Sequence, residues 1–434
     1  MRFILQTIAL FVILGLLCIG LYFIPPIHQQ LSWRIDSLRT QIYYAIHPPD
    51  QVALVPEERV RAAVEATMQV LLITPGAAPQ QPAEIAASAT PDLATPVPSL
   101  TPTSTLPPTP TVKPLPFQIS LTGIHHQYQT FNNCGPANTA MLLSYWGWQG
   151  DQHIARAALR PHQDDANVMP QEIATYAAQA GMRAHIRIGG SIYQLRNLLA
   201  AGFPVMIEMG HHPASDWWMG HYVVISGYDD LKRVLLVHDS LKEPGLEIPY
   251  AELEQRWWRD FNRVYIVFAT PEREVELISL LGPDADLTAN LTRSLAETEA
   301  EIPHLNGRDL FFALYNQGAD FLALGRKEDA ANAFDLAFTV YAGLDEKERP
   351  WRILWYRPDA YAAYYAAGRH QSVIDLSRAA LSMLSKRGLE ESHYWRGMSY
   401  AALGDVEKAR ADLEIAIRLR PSYAEAYQAL STIQ

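Results

Sequence analysis

A cysteine at the start of a predicted helix is the residue of this chain best suited to covalent chemistry. Cys134 is followed directly by Gly135 and Pro136, and then by a helix-like stretch over residues 139–146 that ends at Gly147. Proline fits the first turn of a helix because its missing N–H would have no intrahelical partner there. The thiol of Cys134 is therefore expected at the positive end of a helix, where the dipole and the free N–H groups favour the thiolate. This arrangement predicts a nucleophile.

A nucleophilic cysteine needs a base and a group that orients the base. His221 opens a strand-like run that turns near residue 230 and returns to Asp239. If this hairpin pivots near residue 230 or 231, His221 and Asp239 lie at the same end of adjacent strands. The carboxylate can then accept the Nδ1–H of the imidazole and leave Nε2 facing the thiol. A register slip of one residue would turn one of the two side chains to the other face.

The chemistry also needs donors for an oxyanion. A side-chain amide shortly before the cysteine would serve, and Gln127 and Gln129 both qualify. The backbone N–H of Cys134 would supply the second donor. Asn132 and Asn133 are turn formers and secondary candidates.

Several function classes are disfavoured by composition. The net charge of -11 and the lack of a basic stripe argue against a nucleic-acid partner. Two cysteines cannot make a disulfide framework. Histidine pairs occur in the chain, but no His-x3-His or cysteine-bearing ligand pattern accompanies them. The sequence therefore predicts neither a metal nor a cofactor.

The N-terminal part of the chain predicts a membrane anchor. Residues 3–24 form an apolar run long enough to cross a bilayer as a helix, which gives a transmembrane signal anchor over residues 1–26. A helical juxtamembrane region, 27–74, and a disordered stalk rich in proline and threonine, 75–116, follow. The predicted location is the cell membrane, with a single pass and extracytoplasmic C-terminal domains. Cleavage of the run as a signal peptide and lipid modification of Cys18 are alternative interpretations.

The remaining residues divide into a mixed domain and a helical one. Residues 117–270 show helix-like stretches first and strand-like runs afterwards, which indicates a segregated α+β fold. Residues 271–305 are predicted to be a linker. Residues 306–434 are helical and repetitive. This order favours two folded units after the stalk.

The helical unit contains internal repeats. Gly318-x6-Gly325 recurs as Gly397-x6-Gly404, with an aromatic residue three places after the first glycine in both copies. A weaker middle copy brings the number to about three, near the period of 34 residues. The pattern resembles the tetratricopeptide repeat, in which small residues let paired helices pack closely. The resemblance implies a surface that recruits a protein partner or a substrate.

The motifs of the mixed domain resemble those of the C39-like cysteine peptidases, which have papain-like folds. The resemblance rests on the residues around Cys134, the segment 220–228 and the later aspartate, and it covers about a third of the chain. It implies the order Gln, Cys, His, Asp along the chain. The family roles then fall on Cys134 as nucleophile, His221 as base, Asp239 as orienter, and Gln129 as oxyanion donor with Gln127 as the alternative. Members that trim leader peptides are usually fused to an ATPase, and no Gly-x4-Gly-Lys-Ser/Thr motif is found here.

The predicted fold class is an α+β papain-like cysteine peptidase domain followed by an all-α tetratricopeptide-repeat solenoid, with an N-terminal transmembrane helix. The predicted function is hydrolysis of peptide bonds in a peptide or protein substrate, through a Cys-His-Asp triad and an acyl-enzyme. A non-catalytic peptide-binding scaffold and a cysteine-dependent acyl or peptidyl transferase are the alternatives. The intact cysteine, histidine and aspartate set favours an enzyme over the scaffold.

Overall fold

The structure is a computed structural model that describes residues 114–162, 164–212, 217–384 and 388–433, together with scattered positions between residues 6 and 46. Most of the predicted juxtamembrane region and the stalk up to residue 113 lie outside the described residues.

The prediction of an N-terminal transmembrane helix is wrong. Within the described part of the chain, no helix combines the length and the apolar character that a membrane crossing requires. The single-pass location at the cell membrane depended on this helix, so that prediction is wrong as well.

The mixed domain is built on an antiparallel sheet of seven strands. The strands are β1 (Gln118–Ser120), β2 (Arg183–Arg187), β3 (Val205–His211), β4 (Met219–Asp229), β5 (Val234–His238), β6 (Pro244–Pro249) and β7 (Tyr265–Ala269). Their order is β2-β7-β3-β4-β5-β6, and β1 pairs with residues 227–229 of β4 on the edge opposite β5. The long strand β4 therefore lies at the centre of the sheet, with its first residues near the candidate site.

Helices cover both faces of the sheet. They are α1 (Cys134–Tyr145), α2 (Gln152–Leu159), α3 (Pro170–Gln179), α4 (Ile192–Ala200) and α5 (Glu274–Leu281). Side chains alternate along a strand, so successive buried residues enter different cores. Met206 and Val224 pack with α1 and α3, whereas Ile207 and Val223 pack with α4. This two-sided burial holds β4 and its flanking strands in a fixed register.

The C-terminal region consists of eight further helices in the described range 287–432. They are α6 (Leu287–Glu301), α7 (Gly307–Ala323), α8 (Lys327–Gly343), α9 (Asp359–Ala366), α10 (His370–Ser382), α11 (Glu390–Ala402), α12 (Val406–Leu419) and α13 (Ala424–Thr432). A short helical turn, Ile353–Tyr356, precedes α9. We call residues 287–433 the helical region.

The repeated glycines lie where paired helices touch. A methyl group on Gly318 of α7 would lie 2.9 Å from Cζ of Phe334 in α8, and one on Gly397 of α11 would lie 3.0 Å from Cγ of Leu413 in α12. Both distances are shorter than an ordinary contact between carbon atoms. The two glycines therefore have the same packing role in two copies of the repeat.

The segment predicted to be a linker, 271–305, is helical. It forms α5, α6 and short 3-10 turns. Leu295 of α6 is buried in one core with Trp218 and Phe261 of the mixed domain and Phe312 of α7. The mixed domain and the helical region thus share a hydrophobic core instead of being joined by an extended chain.

Candidate active site

Cys134 is the first residue of α1, as the Gly-Pro sequence after it predicts. Gly135 allows the close approach of Val168, whose Cβ would lie 3.0 Å from an added methyl group. The amide of Asn138 fixes the start of this helix. Its Nδ2 donates to the carbonyl of Cys134 at 2.9 Å, the carbonyl of Tyr222 at 2.7 Å and Oγ of Ser240 at 3.0 Å. These bonds tie Cys134 to β4 and to the loop after β5.

The structure brings His221 and Asp239 together. Nε2 of His221 lies 2.8 Å from Oδ1 of Asp239, and both residues are buried. Val224 pairs with His238 across β4 and β5, with a bulge between Ile225 and Gly227. Extending that register by one residue sets Asp239 opposite residue 223, on the same side as His221 because side chains two positions apart share a face.

The orientation of the imidazole differs from the predicted one. The sequence argument assigned Nδ1 to the aspartate and Nε2 to the thiol, whereas Nε2 contacts Asp239 in the structure. Nδ1 is then the nitrogen left for Cys134. The offset of two residues between His221 and Asp239 gives a diagonal pair, which is reached by the far nitrogen of the ring.

The charges in this group stabilise one another. Burial favours neutral forms and would raise the pKa of the Cys134 thiol, but the hydrogen bond and the charge of His221 lower that pKa overall. Burial also opposes the imidazolium, yet Asp239 and Cys134 raise the pKa of His221 to about 9. The same imidazolium lowers the pKa of Asp239 to about 2 against the effect of burial. The arrangement favours a thiolate–imidazolium pair with a carboxylate behind it.

The two candidate glutamines occupy different positions. Oε1 of Gln129 accepts from Oγ of Ser240 at 2.7 Å, and its Nε2 has no hydrogen-bond partner among the described residues. Oε1 of Gln127 accepts from the backbone N–H of Gln152 at 2.8 Å, at the start of α2. Gln129 therefore belongs to the network of Asn138 and Ser240 around Cys134, whereas Gln127 caps a helix.

Cys134 is partly exposed and lines a small cavity. Part of its wall is the loop after α2, where Nδ2 of Asn132 donates to the carbonyl of Ala166 at 2.9 Å. The full lining is Asn132, Cys134, Gly135, Arg160, Ala166, Asn167, Val168, Glu208, Gly220, Tyr222 and Tyr356. Cys134 thus shares the cavity with several polar groups and with one residue of the helical region, Tyr356.

Sequence reasoning missed several residues of this site. Asn138 and Ser240 are next to the recognised motifs, so their positions offered a signal. Glu208 lies directly across from Tyr222 on β3 and is buried, and burial raises its pKa well above the usual range. Tyr356 is far away in the sequence and gives no local signal. Trp218, three residues before His221, is buried against Phe261 and Phe312 and does not line the cavity.

Comparisons with known proteins identify both units. A family model described as the Peptidase_C39 like family matches residues 117–266, and one described as the tetratricopeptide repeat matches residues 390–423. Two solved structures are similar, each covering 35% of this chain. A protein described as a C39-like peptidase from Bacillus anthracis is 18% identical over 98% of its length, with a TM-score of 0.30. A double glycine motif protease from an AMS/PCAT transporter, in complex with the leader peptide, is 20% identical over 92% of its length, with a TM-score of 0.26.

Curated relatives were also found. Aryl-hydrocarbon-interacting protein-like 1 of Bos taurus is 25% identical over 151 residues, which cover 31% of this chain and 44% of the relative. The protein of the same name from Mus musculus is 26% identical over 174 residues, which cover 36% and 48%. The chain thus spans less than half the length of these relatives. The family matches carry the assignment: the chain contains a domain of the C39-like peptidase family and a C-terminal tetratricopeptide repeat.

Proposed function

We propose that this chain is a cysteine peptidase that hydrolyses peptide bonds at Cys134. The observation that carries the proposal is the buried contact between His221 and Asp239 beside the start of α1, with a hydrogen bond from His221 to the thiol that lowers the pKa of Cys134. A packing cysteine needs no charged partner. A nucleophilic cysteine requires one, since the thiolate is the reactive form.

The proposed reaction has two stages. The Cys134 thiolate attacks the peptide carbonyl, a C–S bond forms, and the carbonyl π electrons move to the oxygen. The tetrahedral intermediate then collapses, the C–N bond breaks, and the His221 imidazolium gives its proton to the leaving amine. Neutral His221 next takes a proton from water, whose oxygen attacks the thioester and releases the acid and Cys134. Asp239 keeps the imidazole oriented throughout both stages.

Gln129 is the proposed side-chain donor to the oxyanion, together with the backbone N–H of Cys134. Its Oε1 is held by Ser240, so its Nε2 remains available to donate. A fixed donor of this kind stabilises the charge of the intermediate without reorganising. The cap that Gln127 provides to α2 makes it the weaker candidate.

The helical region is proposed to recruit a protein partner or the substrate. The proposal is supported by the tetratricopeptide-repeat match over residues 390–423, since such repeats present extended binding surfaces.

The test uses the full chain with a complex mixture of tryptic peptides as substrate and mass spectrometry as the readout. We expect new peptide termini with the wild type and none with Cys134→Ala, while Cys18→Ser serves as the matched cysteine control. Added glycinamide separates the alternatives: a transferase would form glycinamide adducts, and a scaffold would bind peptides without cleaving them. Equal product patterns for the wild type and Cys134→Ala would contradict the proposal.

A further inference from the structure

The cavity at Cys134 is closed on one side by the helical region. Tyr356, from the turn before α9, lines the same cavity as Cys134, Glu208 and Tyr222. The other ten lining residues all come from the C39-like domain. The pocket around the nucleophile is therefore incomplete without the helical region.

The ring of Tyr356 is held against the strand that carries His221. A methyl group on Gly220 would lie 2.8 Å from Cδ1 of Tyr356 and 2.7 Å from Cζ of Phe261, so a glycine is needed for this approach. The ring packs edge-on against Trp218, with centroids 5.8 Å apart, and against Phe261 at 6.1 Å. Tyr356 is thus fixed by aromatic contacts one residue away from the proposed base.

The same turn is anchored to the C39-like domain by polar contacts. Nη1 of Arg357 donates to the carbonyl of Asp260 in the C39-like domain at 3.3 Å, and also to Oδ1 of Asn316 within the helical region at 3.0 Å. Nη1 of Arg352 donates to the carbonyl of Trp217 at 3.3 Å. Contacts on both sides of Tyr356 therefore keep it in place.

A second contact involves another lining residue of the cavity. The N–H of Ala166, which lines the cavity, donates to the carbonyl of Gly388 at 3.0 Å. A methyl group on Gly388 would lie 1.4 Å from the carbonyl oxygen of Asp164, so the two backbones touch directly. The helical region thus contacts the cavity from two separate points of its own sequence.

We propose that Tyr356 is a substrate-contacting residue of the candidate active site, supplied by the helical region, and that its ring limits the size of the group that can reach Cys134. This inference rests on the proposed function, because it treats the cavity as the place where substrate meets the nucleophile. It assigns to the helical region a part in selecting substrate at the nucleophile, in addition to recruitment at a distance.

The experiment measures access to Cys134 with two thiol reagents in a full-length Cys18→Ser background. The rate of alkylation by iodoacetamide, a small reagent, is compared with the rate for fluorescein maleimide, a bulky one. Tyr356→Ala removes the ring, Tyr356→Leu keeps apolar contact with Trp218 and Phe261, and Tyr356→Phe keeps the size of the ring. Tyr365→Ala is the matched control, since Tyr365 packs against His370 and Trp395 away from the cavity.

We expect Tyr356→Ala to raise the ratio of bulky to small reagent rates by about tenfold or more, as expected when a pocket wall is removed. Tyr356→Leu should give a smaller increase, and Tyr356→Phe and Tyr365→Ala should stay at the wild-type ratio. An unchanged ratio in folded Tyr356→Ala, or in folded Tyr356→Leu if the alanine variant misfolds, would overturn the role of Tyr356. The proposed function is read separately: it fails if iodoacetamide reacts with Cys134 no faster in the wild type than in His221→Ala.

Discussion

The Cys134 cluster (Cys134, His221 and Asp239) and the Arg420 cluster (Glu172, Glu390, Glu391 and Arg420) both contain buried ionisable groups, but they match opposite charges in different proportions. One imidazole lies between two acidic groups in the first cluster. One guanidinium serves three carboxylates in the second, with Nη1 of Arg420 lying 3.1 Å from Glu172, 3.7 Å from Glu390 and 3.2 Å from Glu391. The second cluster joins α3 of the C39-like domain to the helical region.

The difference in proportion decides which groups keep their charge. His221 lowers the pKa of both of its acidic neighbours, so the charged forms persist in spite of burial. A single Arg420 cannot do this for three carboxylates. Burial and mutual repulsion raise the pKa of Glu390 well above its usual range, and burial raises the pKa of Glu391 to about 7. A buried cluster thus favours the charged forms where one cation faces two acidic groups, and takes up protons where one cation faces three.

The largest expected effect comes from removing the proposed nucleophile of the Cys134 cluster. Cys134→Ala should lower the rate of peptide cleavage by at least about 10⁴-fold, because no other group of the cluster can form the acyl-enzyme. Stability should change little, since Cys134 as a residue is only partly buried and alanine is a strong helix former. The measurement is kcat/KM on a peptide cleaved by the wild type, and substantial cleavage by the variant would rule out Cys134 as the nucleophile.

The second largest effect is expected from removing the cation of the Arg420 cluster. Arg420→Met removes the cation shared by the buried Glu390 and Glu391 and the partly buried Glu172, which should lower the free energy of unfolding by about 3–5 kcal/mol. The loss should be larger at pH 8 than at pH 5, because fewer carboxylates are protonated at the higher pH. Urea unfolding followed by tryptophan fluorescence gives the value. Arg418→Met, an exposed arginine on α12, should have almost no effect, and equal losses for both variants would show that Arg420 has no special role.

The third effect separates the two glutamines near Cys134. Gln129→Leu should lower kcat by about 10²–10³-fold if its amide stabilises the oxyanion. Gln127→Leu should mainly weaken the start of α2 and leave kcat within a small factor of the wild type. Glutamine variants with equal kcat values would remove Gln129 from the oxyanion site.

The sequence predicts much of the first cluster because its information is local. Cys134 begins a helix whose start is predicted by the glycine and proline that follow it. His221 and Asp239 lie on a hairpin, and the sequence predicts the position of its turn to within a residue. The predicted orientation of the imidazole was wrong. The bulge between Ile225 and Gly227, which shifts the pairing by one residue and sets Asp239 opposite residue 223, was not predicted either. The hydrophobic pattern of the sequence does not predict that bulge.

The second cluster and Tyr356 could not be predicted, since their contacts join distant parts of the chain. Arg420 follows α12, whereas Glu172 lies on α3, and only the docking of the two regions brings them together. The prediction of a transmembrane helix from the apolar run at residues 3–24 was wrong for a different reason. Hydropathy alone suggested a span, and a continuous helix of sufficient length is a separate requirement.

The smallest expected effect sharpens the comparison through pH. The pKa of Glu391 is raised to about 7 in the folded protein from an ordinary value of 4.5, so the folded state binds more protons than the unfolded state between these values. The free energy of unfolding should therefore fall as pH rises from about 4.5 to 7, with a slope of at most about 1.4 kcal/mol per pH unit for one group. Glu391→Gln removes this proton but keeps the shape of the side chain, so its curve should be flatter.

The Cys134 cluster should not contribute to that slope. The contribution of Asp239 to the free energy of unfolding is complete above its unfolded pKa of 3.8 and is lost as pH falls towards about 2. The contribution of His221 begins to be lost only when pH rises above its unfolded pKa of 6.5. Urea unfolding of the wild type and Glu391→Gln is compared at intervals between pH 4.5 and 6.5. The difference between the two curves isolates Glu391, because Asp165, Asp260 and Asp320, whose pKa values are also raised, are present in both proteins. The two proteins should be equally stable near pH 4.5 and diverge as pH rises, with Glu391→Gln the more stable. Glu414→Gln, on an exposed position of α12, should follow the wild type, and parallel curves for all three proteins would mean that Glu391 is already ionised in the folded state.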